Sequence, residues 1–268
     1  NTSVTDFRYT RSQAYFTYVN QYGHTLYNRI TYNGANGWRL QTNTKDYNHF
    51  KDIGAGQSLA MYMDEGFYDV EIPLTITYTE DEPTSNIMIA AEGTDSTVSI
   101  ACNSLSIDFY NAKDESLFNV STMMISRENE IILTGKMNAT DAVYGGGESF
   151  GDSNRRGQDV SLYISDAYDA SGTYVAIPLF STSRGGGIFV NKYDPMTMKF
   201  PQKGREGSWA LTVDTEILDC YFYATGNIAD VLQAYTDLTG HASLPEEWAQ
   251  GYLVCRYAPD FNSLTGTS

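Results

Sequence analysis

The sequence has few basic residues and no long apolar run, and each shortage excludes a class of partner. It holds 17 Lys and Arg against 33 Asp and Glu, for a formal net charge of −16. A surface this acidic repels phosphate backbones and anionic lipid, so we expect neither a nucleic acid nor a membrane partner. No stretch approaches the ~18 consecutive apolar residues that a membrane-spanning helix needs.

Cysteine is scarce as well. Cys102, Cys220 and Cys255 are odd in number and far apart, and no two have the spacing of metal ligands. Cys220 and Cys255 each lie in an apolar run, which indicates buried free thiols. The glycine triplets Gly145–Gly147 and Gly185–Gly187 do not open a helix in a phosphate-binding pattern. The sequence therefore predicts no metal site and no cofactor.

Aromatic residues, in contrast, are abundant. The chain has 21 Tyr and 12 Phe, and 41% of its residues are hydrophobic, which is enough for a folded core. Such a composition is typical of twisted sheets and of surfaces that stack on sugar rings. The first residue is Asn1, which fits a removed signal peptide or a trimmed chain, and sequons occur at Asn1, Asn119 and Asn138. We expect a soluble, secreted protein.

Short strands dominate the predicted secondary structure. In Val70–Tyr78 the apolar residues alternate, as in a half-buried strand, and Pro73 indicates an edge strand or a bulge because proline cannot donate to a ladder. Asn111–Asp114 predicts a hairpin turn. Further strands are predicted at Val98–Cys102, Leu105–Phe109, Ile131–Leu133, Tyr174–Phe180, Gly187–Asn191, Trp209–Val213 and Ile217–Tyr223. Many short strands with few helices favour an antiparallel β-sandwich.

One helix is predicted near the end of the chain. Asn227 suits an N-cap, Asp230 follows three residues later, and Gly240 is placed to end the helix. Beyond it, Trp248–Tyr257 is an apolar run, which fits a strand buried on both faces, as in a parallel sheet or barrel. We therefore predict a sandwich domain over residues 1–240 and the linker and start of a second domain over residues 241–268.

Six segments, in order, resemble family 31 glycoside hydrolases. Tyr144-Gly-Gly-Gly-Glu148 resembles the Tyr-Gly-x-Gly-Glu signature of that family. The other five are Asn154–Gly157, Ser165–Ala167, Tyr174–Ser181, Tyr235–Gly240 and the segment of Leu244–Gly251 with Cys255–Tyr257. Each is short, but their shared order over residues 141–257 makes the resemblance specific. Residues 1–130 match only in their general strand character.

The resemblance implies a galactose-mutarotase-like β-sandwich followed by the first strand of a (β/α)₈ barrel, whose strand ends carry the chemistry. It also implies a retaining α-glycosidase that uses one carboxylate as nucleophile and a second as acid/base, with α-glucosides as the expected substrates. The family's nucleophile lies in a Trp-x-Asp-Met-Asn-type segment, and no such segment occurs in these 268 residues. We expect no catalytic residue here, and we expect the carboxylates of Asp64–Glu65 and Asp214–Glu216 to be solvated.

The resemblance assigns substrate contacts to two residues. Asp166 is implied to accept hydrogen bonds from sugar hydroxyls at the barrel mouth, and Tyr257 is implied to line the subsite of the cleaved sugar. The alternatives are a loop aspartate that bonds its own backbone and a tyrosine packed in the core. Glu148 and Arg155–Arg156 are instead predicted to form an internal ion pair that braces the domain.

Two other functions stay open. One is a free-standing carbohydrate-binding sandwich without catalysis, against which the predicted helix and buried strand after residue 227 argue, because a lectin needs no barrel strand. The other is a catalytically dead family member that acts as a scaffold subunit. The expected partners are an α-linked oligosaccharide or polysaccharide and the remainder of the catalytic barrel.

Overall fold

The computed structural model describes residues 3–34, 37–50, 72–81, 84–164, 173 and 175–252. Within these ranges the chain forms eighteen strands, one α-helix and one 3₁₀ turn. In chain order the strands are β1 (Ser3–Tyr9), β2 (Gln13–Val19), β3 (Thr25–Asn33), β4 (Gly37–Asn43), β5 (Leu74–Asp81), β6 (Thr84–Ala91), β7 (Thr97–Ala101), β8 (Ser106–Tyr110), β9 (Ser116–Val120), β10 (Thr122–Ile125), β11 (Ile131–Met137), β12 (Val143–Gly145), β13 (Asp159–Leu162), β14 (Leu179–Thr182), β15 (Gly186–Val190), β16 (Met196–Lys199), β17 (Gly207–Val213) and β18 (Ile217–Ala224).

The strands form three antiparallel sheets. The largest has the order β1-β2-β3-β4-β18-β15-β14-β12, and the two five-stranded sheets have the orders β10-β11-β17-β16-β13 and β5-β6-β7-β8-β9. Phe222 of β18 stacks on Phe109 of β8, with 4.4 Å between the ring centroids. Phe118 of β9 also packs on the ring of Phe222, at 5.6 Å between centroids. The core therefore lies between the eight-stranded sheet and the five-stranded sheets, and the predicted antiparallel β-sandwich is confirmed.

The two five-stranded sheets meet where β9 runs beside β11. The backbone N–H of Ser121 donates to the carbonyl of Thr134 at 2.7 Å, and the N–H of Lys136 donates to the side-chain oxygen of Asn119 at 3.0 Å. Trp209 Nε1 donates to the carbonyl of Asn119 at 3.1 Å. Asn119, one of the three sequon asparagines, is only 7% exposed because it joins the two sheets.

A buried ion pair joins β4 and β18 inside the eight-stranded sheet. Arg39 donates from Nε and Nη2 to the two carboxylate oxygens of Asp219, at 2.9 and 2.7 Å. Asn191 donates to the same carboxylate at 3.0 Å. Both charged side chains are at most 2% exposed, so each charge depends on the other for compensation.

The predicted helix is confirmed as α1 (Ile228–Thr239). Asn227 caps it by accepting a hydrogen bond from the N–H of Asp230 at 2.9 Å, and Gly240 ends it at a φ of 94°. The buried face of α1, with Val231 and Leu238, packs on the eight-stranded sheet. No helix within the described ranges is long and apolar enough to cross a membrane.

Other strand predictions are confirmed in part. β5 begins at Leu74, directly after Pro73, and lies at the edge of its sheet, as the proline indicated. Asn111–Asp114 forms the predicted hairpin turn, with the N–H of Asp114 donating to the carbonyl of Asn111. The strand predicted over Tyr174–Phe180 is wrong in extent, because β14 begins only after Pro178, at Leu179.

The strand predicted from Trp248 is wrong at its start in secondary structure only, since its burial is predicted against barrel elements that these 268 residues lack. Glu247–Gln250 forms a 3₁₀ turn, and the side chains of Trp248 and Tyr252 are 79% and 93% exposed. A strand buried on both faces needs neighbouring strands, and none of the described strands pairs with this segment. The rest of the run, to Tyr257, lies outside the described residues, and the domain boundary at residue 240 stays a prediction.

Candidate functional site

The two residues with implied substrate contacts, Asp166 and Tyr257, lie outside the described residues, as do Asp64 and Glu65. The structure does describe the frame that holds the segment carrying Asp166. That segment, residues 165–172, leaves the frame after Ile164 and returns to it at Thr173. We call the described residues that hold its two ends the loop base.

Backbone pairing joins the two ends of the segment. Ile164 and Thr173 form a parallel bridge, and Glu148 and Val175 form an antiparallel one. The N–H of Glu148 donates to the carbonyl of Val175 at 2.9 Å. Thr173 is 3% exposed, and its hydroxyl lies within hydrogen-bond distance of the carbonyl oxygens of Glu148 and Val175. The loop base is therefore tied to the end of the glycine-rich signature.

The signature glycines allow this close approach. Gly147 has a φ of 82°, and a Cβ there would lie 2.0 Å from the carbonyl oxygen of Val175. Gly145 has a φ of 127°, and a Cβ there would lie 2.1 Å from the carbonyl oxygen of Leu179. Any side chain would overlap the backbone that leads from the loop base into β14, and a positive φ also favours glycine. The signature thus has a structural role in this chain.

Two buried arginines brace the same turn. Arg155, 6% exposed, donates from Nε to the carbonyl of Gly145 at 3.0 Å. Arg156, 5% exposed, donates to the carbonyls of Asn138 and Gln202, each at 3.0 Å. Burial lowers the pKa of Arg156, and the charge of Asp141 partly opposes that shift. Each guanidinium thus donates hydrogen bonds to backbone carbonyl groups around this turn.

The predicted ion pair of Glu148 with Arg155–Arg156 is wrong. The side chain of Glu148 is exposed and makes no ion pair with a described residue, while both arginines bond backbone carbonyls. The physical reason is that the backbone of Glu148 pairs with Val175 at the sandwich surface, where water solvates the carboxylate more cheaply than a buried pair would. The arginines do brace the turn, but neither forms an ion pair with a carboxylate of the described residues.

Two exposed tyrosines and an exposed isoleucine line a groove beside the loop base. Tyr163 is 61% exposed, Ile164 is 62% exposed and Tyr193 is 76% exposed. Together with Ala176 and Asp194 these residues line a groove of about 340 Å³. Exposed apolar side chains that cluster in this way mark a surface used for contact with a ligand or another domain.

The remaining reactive side chains are structural or solvated. Asp214 and Glu216 are exposed, as predicted, and Glu216 pairs with Lys45 at 2.7 Å. Cys220 is a fully buried free thiol whose pKa is raised well above the usual value, by burial first and then by the charge of Asp219. The described part of the chain holds no cluster of His, Cys, Asp and Glu that could bind a metal ion.

Sequence reasoning missed Thr173 at the loop base and Tyr163 and Tyr193 in the groove beside it. Their positions depend on where the chain returns after residues 165–172, and no local pattern reports such a crossing. A usable signal did exist for Tyr163. An apolar pair, Tyr163-Ile164, directly before a loop implied to contact sugar could have been read as part of the same surface.

Comparison with known proteins places the chain in a family. The family model described as "Glycosyl hydrolase 31 N-terminal galactose mutarotase-like domain" matches residues 29–198. Alpha-glucosidase 2 of Bacillus thermoamyloliquefaciens is 31% identical over 144 residues, which are 51% of this chain and 18% of that protein. An alpha-xylosidase of Emericella nidulans is 30% identical over 129 residues, 47% of this chain and 16% of that protein. The chain thus spans less than a fifth of either relative.

Solved structures show the same fold. The Flavobacterium johnsoniae GH31 dextranase in complex with isomaltotriose superposes with a TM-score of 0.73 at 18% identity, over 94% of this chain and 30% of that one. The cycloalternan-forming enzyme from Listeria monocytogenes superposes with a TM-score of 0.71 at 17% identity, over 92% and 23%. With a family model that matches more than half of its residues, the chain belongs to glycoside hydrolase family 31 and corresponds to the N-terminal galactose-mutarotase-like domain of that family.

Proposed function

We propose that this chain is the N-terminal part of a retaining α-glycosidase, an α-glucosidase that hydrolyses α-linked oligosaccharides or polysaccharides. The sandwich braces the catalytic barrel and lends it the segment that carries Asp166. Similarity to an alpha-glucosidase and to a dextranase solved with isomaltotriose supports this substrate class. The carboxylates that perform the chemistry belong to the barrel.

The observation that carries the proposal is the construction of the loop base. Residues 165–172 are bridged at both ends, by Ile164 with Thr173 and by Glu148 with Val175. Three glycines at positive φ and two buried arginines hold that base. A rigid base of this kind suits the recognition of a sugar hydroxyl pair, because charge-assisted hydrogen bonds depend on geometry.

The end of the described chain supports docking on a barrel. Leu244, Trp248 and Tyr252 are 93%, 79% and 93% exposed. Large apolar side chains in one short segment are costly in water and become favourable when another domain covers them. In the proposed protein that cover is the barrel, and Tyr257 lies at the end of its first strand.

The test replaces Asp166 by Asn in the full-length protein. The substitution keeps the size of the side chain and removes its charge. A hydrogen bond to a charged group is worth roughly 1.5–3 kcal/mol, so kcat/KM toward maltose should fall about ten- to a hundredfold. Asp214→Asn is the matched control, because Asp214 is an exposed carboxylate in the turn between β17 and β18. It should retain the parent's kinetics.

The companion variant is Tyr257→Ala in the same protein. We expect a similar loss of kcat/KM and a melting temperature within a few degrees of the parent, because a residue exposed at a site contributes little to the core. If Tyr257→Ala unfolds the protein, Tyr257 is a core residue. If Asp166→Asn leaves the kinetics toward every cleaved α-glycoside unchanged, the loop contributes no substrate contact. Absence of any α-glycosidase activity in the full-length parent would favour the scaffold-subunit alternative.

A further inference from the structure

A second concave site lies away from the loop base. It is a cleft of about 530 Å³ between the ends of β8, β9, β11 and β17 and the turn that precedes β15. None of the residues of the loop base lines it. Its volume falls within the roughly 300–1,000 Å³ that small-molecule sites occupy. We call it the polar cleft, because hydroxyl, amide and charged side chains provide most of its lining.

The floor of the polar cleft is a fixed hydrogen-bond network. Asp108 accepts from the hydroxyls of Ser106 and Ser116, at 2.8 and 2.9 Å, and from the side-chain nitrogen of Asn119 at 3.0 Å. At the other end, Arg184 forms a two-point ion pair with Asp141, with bonds of 2.7 and 3.1 Å. Both carboxylates are thus satisfied before any ligand arrives, and the floor is held in place.

The rim, by contrast, carries unused groups. The strand register pairs Lys136 of β11 directly with Ser208 of β17. Asn138 directly follows β11 and Glu206 directly precedes β17, and both line the cleft beside that pair. All four side chains are exposed, and within the described part of the chain they make no side-chain hydrogen bond or ion pair. One cation, one anion, one amide and one hydroxyl therefore converge on the opening of the cleft.

This chemistry selects one class of ligand. A phosphate would meet the single free cation of Lys136 beside the free carboxylate of Glu206, in a chain of net charge −16. An apolar ligand would find little to cover, since Trp209 and Phe118 in the lining are 1% and 6% exposed. A neutral ligand with many hydroxyls can donate to and accept from every rim group at once.

We propose that the polar cleft is a second saccharide-binding site, which takes one or two rings of a neutral sugar chain through Lys136, Asn138, Glu206 and Ser208. It holds substrate near the enzyme and does not contact the bond that the barrel cleaves. The proposal therefore stands apart from the identity of the reaction. A sugar held there would raise the local concentration of a long substrate for the barrel.

The experiment measures binding of maltotriose and isomaltotriose to the full-length protein by calorimetry, with the barrel site saturated by an iminosugar inhibitor. The parent should still bind one of the two sugars. Lys136→Met combined with Glu206→Gln should weaken that binding at least tenfold, because each change removes a charge-assisted hydrogen bond. Ser208→Trp, which fills the opening, should abolish it.

The control is Lys113→Met combined with Glu128→Gln, which makes the same two charge changes at exposed residues outside the cleft. It should bind as the parent does. All variants should keep their kcat/KM toward an aryl α-glucoside, so a failure here is distinguishable from a failure of the proposed activity. Loss of all sugar binding once the inhibitor is present overturns the proposal. Equal binding by the cleft variants and the parent also overturns it.

Discussion

Gly147 links the family signature to the fold at the scale of a single residue. Its φ is 82°, and a Cβ would lie 2.0 Å from Val175 O and 2.7 Å from Ile177 N. Gly147→Ala adds the cost of a left-handed backbone, about 1–2 kcal/mol, to that of displacing the loop base. We expect the free energy of unfolding in urea to fall by roughly 3 kcal/mol or more.

Gly204→Ala separates the two costs. Gly204 has a similar φ of 73°, but nothing lies within 4 Å of the position that its Cβ would take. Only the cost of the left-handed backbone applies there, so the free energy of unfolding should fall by about 1 kcal/mol. If Gly147→Ala and Gly204→Ala lower the free energy of unfolding equally, the close approach of Gly147 to Val175 does not affect stability. The loop base is then not held at the signature.

The buried pair of Arg39 and Asp219 gives a second prediction at this scale. Arg39→Ala would leave the Asp219 carboxylate, 0% exposed, with Asn191 as its remaining side-chain donor in the described part of the chain. Removal of one partner from a buried pair costs roughly 3–5 kcal/mol. Urea unfolding of the variant measures the loss.

Its control is the surface pair of Lys45 and Glu216, with side chains 44% and 77% exposed. Lys45→Ala should change the free energy of unfolding by less than about 1 kcal/mol, because solvent screens exposed pairs. A loss from Arg39→Ala as small as that from Lys45→Ala would mean that water reaches Asp219 in solution.

The bonding partners of single side chains were the feature least predictable from sequence. Glu148 stands close to two arginines in the chain, and charge alone suggested that they pair. The structure shows that Arg155 bonds the carbonyl of Gly145 and that Arg156 bonds the carbonyl of Gln202, which lies far away in the chain. Local sequence reports which charges are near along the chain, but not which backbone carbonyls the fold leaves without a partner.

At the scale of elements, a strand could be predicted from sequence where its polar side chains face solvent and only its apolar side chains are buried. In β7 and β8 the buried residues alternate, and both strands were predicted. Every residue of β4 is buried, including Arg39 and Gln41, and β3 is buried over most of its length. Buried polar side chains that pair with one another, as Arg29 does with Gln41 at 2.8 Å, erase the alternation that marks a strand. No strand was therefore predicted there.

Helix α1 was predictable because its ends carry local signals, and it offers a test at the element scale. Asn227→Ala removes the bond that caps the N–H of Asp230. The loss should be about 1 kcal/mol, seen as a melting temperature a few degrees lower. Asn227→Asp keeps an acceptor at the cap and should melt close to the parent. If both variants melt alike, the side chain of Asn227 does not act as the cap.

At the scale of the whole molecule, the ordered motifs predicted the family, and the family model and the solved relatives bear this out. The sequence indicated the segment that carries Asp166, but not the base that holds its two ends. The motif containing Asp166 was recognised, but the clamp formed by Thr173 and the polar cleft both arise from strands far apart in the chain. β11 and β17, whose ends lie at the cleft rim, have five of the described strands between them in sequence yet lie side by side in one sheet.

The last prediction concerns the surface that the chain presents at its described end. Of its three tryptophans, Trp38 and Trp209 are at most 1% exposed, while Trp248 is 79% exposed. In the isolated 268-residue chain, acrylamide should quench one part of the fluorescence readily, and Trp248→Phe should remove that part. The emission that remains should be blue-shifted, because buried indoles sit in apolar surroundings. If Trp248 is instead protected from the quencher, its segment packs on the sandwich or on a second copy, and the docking surface proposed for the barrel is already covered.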